Sequence, residues 1–258
     1  GLLARAMVGR RVSCCAPMGS DGTWAEYVCV PARYCVPLRS NISYDEGATL
    51  LSSTIGAWAL IDRARQRGAR AIAHTAGDSP LGCMMTRLAN RHRLPMLHII
   101  ERPEQAQVLR TMGATHIIDA GAEYVPQQLS ALFSALDVSV VIDSSAGVNT
   151  DALLRALPRG GSLIVCGSRP DADCAIDPAE LICNNKTIEG FHLSDWLKQV
   201  GFTKAVQAAL TSQRLLRGGV PDEWTARLPL EGYHQALELL FRGRTTGGHV
   251  VFNLARPN

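Results

Sequence analysis

The sequence has few aromatic residues, no basic run and no apolar stretch long enough to cross a bilayer. Aromatic residues make up 5% of its 258 residues, and the net charge of +3 comes from scattered Lys and Arg. Nucleic-acid-binding domains usually concentrate basic charge on one surface, and a membrane-spanning helix needs about 20 consecutive apolar residues. We therefore expect neither nucleic acid nor a membrane among the partners of this protein.

Metal-binding and targeting motifs are also lacking. None of the eight cysteines forms a C-x-x-C pair, and none of the seven histidines stands at ligand spacing from a Cys or a carboxylate. Most of the cysteines lie in apolar runs, where a free thiol behaves as a small hydrophobic side chain. The first residues lack the apolar segment of a signal peptide. We expect no metal site, and reduced thiols in an intracellular compartment.

Apolar residues are abundant enough to build a core, at 47% of the chain, and in the middle of the chain they alternate between strand-like and helix-like spacing. A long helix is predicted from Tyr44, where Ser43 and Glu46 form a capping box. This alternation is typical of an α/β fold with a doubly wound parallel sheet and right-handed crossovers. Strands are predicted at residues 70–75, 95–100, 115–118, 138–143 and 162–167, and helices at 81–91, 104–112, 125–136 and 150–157.

Both ends of the chain have β character instead. Residues 11–38 contain short β-type runs (RVSCC, WAEYVCV, RYCVPL) broken by Pro and Gly, a pattern that favours a small antiparallel unit. From about residue 220 the runs WTARLPL and HVVFNL lie on either side of a helical pattern. We expect the two ends to meet in one second domain.

The turn between the first two parallel strands has the small residues of a nucleotide-binding turn. Gly77 and Gly82 permit close backbone approach, Ser79 is either a phosphate donor or a helix cap, and Pro80 suits the first helical position. The turn is not a regular G-x-G-x-x-G, and Asp78 places a carboxylate where an anion would bind. A capped turn without a ligand is therefore an equally good interpretation of this motif alone.

The ends of later strands carry further candidate residues. Glu101 and Arg102 indicate opposite preferences, because a carboxylate there binds the ribose diol of NAD whereas an Arg binds the 2′-phosphate of NADP. Ser144 and Gly167 follow two further strands at their carboxyl ends, where ligands bind in open α/β sheets. Their small size leaves room for a nicotinamide ribose, although small residues are also ordinary turn residues.

Several motifs in matching order resemble the medium-chain dehydrogenase/reductase superfamily, and within it the branch of mitochondrial trans-2-enoyl-thioester reductases and quinone reductases. The resemblance covers nearly the whole chain, and the pairing of GTW with GFHLSDW is its most specific part. The motifs are GTWAEY at 22–27, GAW at 56–58, AGDSPLG at 76–82, LRTMGATHIID at 109–119, the glycine pair at 160–161 and GFHLSDW at 190–196.

The resemblance implies a Rossmann domain over residues 48–212 and a GroES-like catalytic domain from residues 1–47 and 213–258, with its N-terminal part missing. It also implies NADPH as hydride donor, a homodimer, no catalytic zinc, and a mitochondrial location with a cytoplasmic alternative. NADH stays open because of Glu101. By the same resemblance, the cofactor contacts are Gly77, Ser79 and Gly82 to the pyrophosphate, Arg102 to the adenosine phosphate, Ser144 and Gly167 to the ribose, and Phe191, His192 and Leu193 to the nicotinamide.

The expected reaction is hydride transfer to the β-carbon of a 2-enoyl thioester, a small-molecule substrate. Two alternatives stay open, namely a quinone or enone reductase of the same superfamily and a non-catalytic member that keeps only the fold. Similar enzymes begin well upstream of Gly1, and the upstream part normally carries the proton-donating Tyr. No catalytic residue is therefore assigned, and Asp78, Glu101 and Gly56 depart from the usual pattern.

Overall fold

A computed structural model describes residues 1–17, 19–121, 124–168, 173–216, 225–241 and 249–254. Its strands are β1 (Val12–Cys14), β2 (Cys35–Pro37), β3 (Ala71–Thr75), β4 (Met96–Ile100), β5 (His116–Asp119), β6 (Val138–Asp143), β7 (Ser162–Val165), β8 (Thr187–Gly190), β9 (Thr225–Leu228) and β10 (His249–Phe252).

The α-helices alternate with these strands through most of the chain. They are α1 (Leu2–Arg5), α2 (Tyr44–Thr49), α3 (Gly56–Gln66), α4 (Pro80–His92), α5 (Glu104–Thr111), α6 (Pro126–Leu136), α7 (Thr150–Ala156), α8 (Pro178–Ile182), α9 (Leu193–Gln199), α10 (Phe202–Leu216) and α11 (Tyr233–Phe241), with a π-helical segment at Leu50–Ile55. Within the described part of the chain, no helix is both long and apolar enough to span a membrane.

A six-stranded parallel sheet forms the larger of two structural units, which comprises residues 57–192. The strand order is β5-β4-β3-β6-β7-β8. In chain order within this unit, that is the 3-2-1-4-5-6 arrangement of a Rossmann fold, whose ligands bind where the order reverses, here between β3 and β6. The predicted α/β, doubly wound fold is thereby confirmed.

The burial of the strands follows their position in the sheet. Every residue of β3 and β4 is buried, whereas the edge strands β5 and β8 are partly exposed. Central parallel strands are covered by helices on both faces, so both faces must be apolar. Leu97, Ile99, Phe133, Val141 and Leu163 belong to one buried cluster around this sheet.

Residues 1–56 and 193–258 form the second unit. Here β1 pairs with β2 in antiparallel fashion and β9 pairs with β10 in parallel fashion. The two chain ends share this unit, which is bounded by residues 56 and 193; the domain bounds at 47 and 213 stay a prediction. That the ends form a GroES-like domain stays a prediction, because strand pairing of this extent is common to many folds.

The capping box predicted before α2 is confirmed. Ser43 Oγ accepts from the Glu46 N–H at 3.1 Å, and a Glu46 carboxylate oxygen accepts from the Ser43 N–H at 2.7 Å. The helical run that follows continues as α2, the π-helical segment and α3. The long helix predicted from Tyr44 is thus present as one continuous helical run, whose π-helical segment the periodicity of the sequence does not show.

Two segments differ from the sequence prediction. The run WAEYVCV at 24–30 contains no strand, and most of its residues are exposed. Its β-branched and aromatic residues therefore do not mark pairing with another strand. Strand β8 was not predicted, since its four residues show no apolar pattern. Glu189 of β8 instead binds Arg63 of α3 and Arg67, which directly follows this helix, both at 2.6 Å. Trp224, in the predicted run WTARLPL, lies outside the described residues.

Candidate functional site

The turn between β3 and α4 is built around one close backbone contact. A Cβ atom added at Gly82 would collide with the backbone of Gly77, including its carbonyl. Ser79 is the N-cap of α4, since its Oγ accepts from the Gly82 N–H at 3.1 Å, and Pro80 opens the helix. Ala76 has a left-handed φ of 51°. The sequence fits a turn in which only glycine lets the first helical turn lie against the preceding loop.

Asp78 does not present its carboxylate at this turn. Its side chain is buried, and its Oδ1 accepts from Gln105 Nε2 at 2.8 Å. The Gln105 Oε1 accepts in turn from the N–H groups of Glu101 and Arg102, at 2.9 and 3.1 Å. Burial raises the pKa of Asp78, and the hydrogen bond from Gln105 opposes this shift. The carboxylate is therefore directed toward the start of α5.

Glu101 and Arg102, which indicate opposite cofactor preferences, have different surroundings at the end of β4. Glu101 is partly buried, and its Oε1 accepts from the Tyr124 hydroxyl at 3.2 Å. Arg102 is exposed. A carboxylate already bound to a phenol is less free to bind a ribose diol, whereas an exposed guanidinium is well suited to a phosphate.

A buried carboxylate links the ends of β3 and β6. Asp143 is 1% exposed and accepts from the hydroxyls of Thr75 and Thr150 and from the Ser145 N–H, at 2.9, 2.9 and 3.0 Å. The Thr75 hydroxyl oxygen also accepts from the Ser144 N–H at 2.9 Å. Asp143 is the last residue of the strand predicted at 138–143, and no role was predicted for it. A carboxylate at the end of an apolar strand was the available signal.

Ser144 and Gly167 are brought together, as their predicted shared role requires. A Cβ at Gly167 would lie 2.5 Å from the Ser144 carbonyl oxygen, and the Gly167 carbonyl accepts from the Ala146 N–H at 3.0 Å. Glycine is therefore required where the loops after β6 and β7 touch.

Two buried histidines lie beneath these turns, and neither was predicted. His74 Nε2 is 2.8 Å from Ser144 Oγ, and His98 Nε2 is 3.3 Å from Thr86 Oγ1. Each Nδ1 is buried without a hydrogen-bond partner among the described residues. Burial, and secondarily the neighbouring His98, lowers the pKa of His74 to about 3. Burial, and secondarily His116, lowers the pKa of His98 to about 4.

The last predicted residues follow β8. The Phe191 N–H donates to the Val165 carbonyl at 2.7 Å, and His192 is exposed. Leu193 begins α9 and belongs to the other unit. Every other predicted cofactor residue lies on the larger unit, at the carboxyl edge of its sheet or in the first turn of α4.

A metal site finds no ligand set among the described residues. No three His, Cys, Asp or Glu side chains of that part of the chain lie together as metal ligands do. That the protein works without zinc stays a prediction.

Comparison with known proteins places this geometry in a family. The model of the family described as "Zinc-binding dehydrogenase" matches residues 80–211, just over half of the chain. The chain belongs to this family. It is thus a member of the medium-chain dehydrogenase/reductase superfamily, and the resemblance in the sequence is confirmed.

Individual proteins of the superfamily share only a modest sequence identity with this chain. The chain is 24% identical over 224 residues to the mouse mitochondrial enoyl-[acyl-carrier-protein] reductase, covering 84% of this chain and 60% of that protein. The chain therefore spans about three fifths of the length of this curated relative.

Two solved structures of other proteins also resemble this chain in fold. A protein from Mesorhizobium loti assigned as an NADPH:quinone reductase superposes with a TM-score of 0.83 at 29% identity, over 99% of this chain and 73% of that one. The quinone oxidoreductase from Thermus thermophilus, solved also in complex with NADPH, has a TM-score of 0.72 at 25% identity, over 96% and 78% of the two chains.

The close contact at the first turn predicts a steep cost for Gly82→Ala. Because the added methyl would meet the Gly77 backbone, we expect the free energy of unfolding to fall by about 1–3 kcal/mol, as overpacking typically costs. Urea unfolding measures it. Gly190→Ala is the matched control, since no atom lies within 4 Å of its added methyl. Equal losses in both variants would contradict the prediction.

The buried histidines predict a loss of stability toward acid. The unfolded chain takes up a proton near the ordinary pKa of 6.5, whereas folded His98 does so only near 4. The unfolded state therefore binds more protons between these pH values, and stability falls as the pH decreases, by about 1.4 kcal/mol per pH unit for each such group.

Replacing one of the two histidines isolates its share of this slope. We expect His98→Gln to be less stable at pH 7 but to lose less stability between pH 6 and 5 than the parent protein, by about 1.4 kcal/mol. Urea unfolding at the two pH values measures it. His234→Gln, at an exposed position of α11, should keep the parent slope. A parent slope in His98→Gln would overturn the assignment.

Proposed function

We propose that the protein is an NADPH-dependent oxidoreductase that reduces the C=C bond of 2-enoyl thioesters. The observation that carries the proposal is the Gly82–Gly77 contact. It lets the first turn of α4 lie against the loop after β3, at the point where the strand order reverses. Membership of the superfamily and similarity to a mitochondrial enoyl reductase support the reaction. The small-molecule substrate, a homodimer and a mitochondrial location belong to the same proposal, with a cytoplasmic location as the alternative.

The residues present fit a dinucleotide. Gly77 and Gly82 allow backbone approach to a pyrophosphate, and the buried Asp78 carboxylate is held by Gln105 rather than directed at the helix terminus. The helix offers fewer donors than usual, because Pro80 has no N–H and the Gly82 N–H already binds Ser79. The positive end of the α4 dipole still favours an anion at this terminus.

Each predicted residue then has a task. Arg102 binds the adenosine 2′-phosphate, Ser144 and Gly167 line the ribose position, and Phe191, His192 and Leu193 form the nicotinamide position. NADPH, when bound, supplies the hydride. The protein orients the β-carbon of the thioester and stabilises the enolate charge that develops on its carbonyl oxygen by hydrogen bonding. The proposal assigns no described residue as proton donor.

A second candidate function keeps the cofactor and replaces the substrate by a quinone or another enone. It is favoured by the two solved structures that superpose on this chain, since both carry quinone reductase names. A third candidate, a non-catalytic member, is favoured by the reduced set of N–H donors at the start of α4.

Two measurements separate these candidates. Thermal unfolding with NADPH and with NADH tests cofactor binding, because a ligand at 100 times its Kd stabilises the folded state by about 2.7 kcal/mol. NADPH oxidation is then followed with a trans-2-enoyl thioester and with a quinone. Turnover of the thioester supports the first function, and turnover of the quinone alone supports the second. If neither cofactor shifts the midpoint, the oxidoreductase proposals fail.

Arg102→Gln tests the cofactor contact itself. We expect the Kd for NADPH to rise about 10- to 100-fold, since hydrogen bonds to charged groups contribute about 1.5–3 kcal/mol. The Kd for NADH should stay unchanged, because NADH lacks the 2′-phosphate. Isothermal titration measures both constants. Arg110→Gln, an exposed arginine of α5, is the matched control, and an equal rise in this variant would contradict a specific contact.

A further inference from the structure

Two cysteines face each other across the antiparallel pair near the N-terminus. Cys14 ends β1 and Cys35 begins β2, and the strand register pairs these two residues directly. Directly opposed residues of an antiparallel pair project their side chains to the same face of the sheet. The two thiols are therefore neighbours, although the residues are 21 positions apart in the sequence.

The hydrogen bonds around this pair fix its type. The Cys15 N–H donates to the Tyr34 carbonyl at 3.2 Å, and the Leu38 N–H donates to the Arg11 carbonyl at 2.9 Å. Hydrogen-bonded and non-hydrogen-bonded pairs alternate along an antiparallel ladder. Because Cys15 pairs with Tyr34 through a hydrogen bond, the neighbouring pair of Cys14 with Cys35 is non-hydrogen-bonded.

This pair type has the dimensions of a disulfide. Opposed residues of a non-hydrogen-bonded pair have Cα atoms about 4.5 Å apart, and disulfides span Cα separations of roughly 4.4–6.8 Å. The Cα separation of such a pair thus lies within the range that disulfides span. Cys15, the adjacent thiol, projects to the opposite face of the ladder, on which Tyr34 is fully buried.

A small reactant can reach the pair. Cys14 and Cys35 are free thiols and both are partly exposed. Cys35 also lines a cavity of about 480 Å³, whose wall includes the cationic residues Arg33 and Lys198. Most of the wall is apolar, and Lys198 is paired with Asp195 at 2.7 Å, so the cavity gives access to Cys35 without selecting the charge of the reactant.

We propose that Cys14 and Cys35 form a reversible cross-strand disulfide by exchange with a small-molecule disulfide. The thiolate of one cysteine attacks the small disulfide, which forms a mixed disulfide and expels one small thiolate. The second cysteine then attacks the mixed disulfide at the protein sulfur and expels the other. The two protein thiols are oxidised, the small disulfide is reduced to two thiols, and the two protons pass from the protein thiols to the expelled thiolates.

Burial makes this exchange slow. It raises the pKa of both the Cys14 and the Cys35 thiols, and it raises that of Cys15 to about 11, with a smaller contribution from the two neighbouring thiols. The thiolate is the attacking species, so the reaction needs excess glutathione disulfide and long incubation.

Peptide mapping tests the proposal on the native chain. The protein is incubated with glutathione disulfide, remaining thiols are alkylated, and the sample is digested with trypsin without reduction. Cleavage after Arg11, Arg33 and Arg39 gives peptides 12–33 and 34–39. We expect these two peptides to be linked, and reducing agent should separate them. Fragmentation between the adjacent residues Cys14 and Cys15 identifies Cys14 as the linked residue in the parent protein itself.

Serine variants provide the controls. We expect the link to be lost in Cys14→Ser and in Cys35→Ser, and to persist in Cys15→Ser and Cys29→Ser, whose cysteines lie in the same tryptic peptide as Cys14. Linkage through Cys15 or Cys29, glutathione adducts without a link, or no reaction at Cys14 and Cys35 would each overturn the proposal. Because the parent protein gives the assignment by fragmentation, a variant that does not fold leaves the test intact.

Discussion

The candidate site depends on the hydrogen bonds that the buried carboxylate of Asp143 accepts. Its two oxygens receive the hydroxyls of Thr75 and Thr150 and the N–H of Ser145, so it ties the end of β3 to the start of the loop after β6. These are the strands between which the order of the sheet reverses. A buried carboxylate is stable only when its lone pairs are satisfied. Hydrogen bonds, in addition to apolar packing, therefore join the ends of these two strands.

Above this anchor, the approach of loops to one another is limited by glycine. Gly82 meets the Gly77 backbone, and Gly167 meets the Ser144 carbonyl. Both contacts join backbone to backbone, which brings the loops closer than any side chain would permit. Small residues at the carboxyl edge of the sheet thus let backbone lie against backbone, as nucleotide-binding turns require. This chemistry agrees with the family to which the chain belongs.

The sequence predicted the central sheet well because its strands are apolar on both faces and its helices have strong periodicity and caps. The predicted strand at 138–143 coincides with β6, and the capping box at Ser43 is present. Prediction failed where pattern carries little information. Edge strand β8 pairs with β7 and carries the ion pairs of Glu189 instead of an apolar pattern. No local signal marks Gln105 as the partner of Asp78, because that pairing depends on the tertiary approach of α5 to the turn after β3. The sequence therefore showed a carboxylate at the turn but not its burial against Gln105.

Because of the Gln105 amide, the effects of substitutions in the turn after β3 and at the end of β4 depend on one another. The Gln105 side chain of α5 binds the Asp78 carboxylate and both N–H groups at 101 and 102, so it links the backbone that presents Glu101 and Arg102 to the turn after β3. Substitutions at 78, 101, 102 and 105 therefore act non-additively. We therefore expect a substitution at the end of β4 to have a different effect when the Asp78–Gln105 pair is kept than when one of its members is replaced.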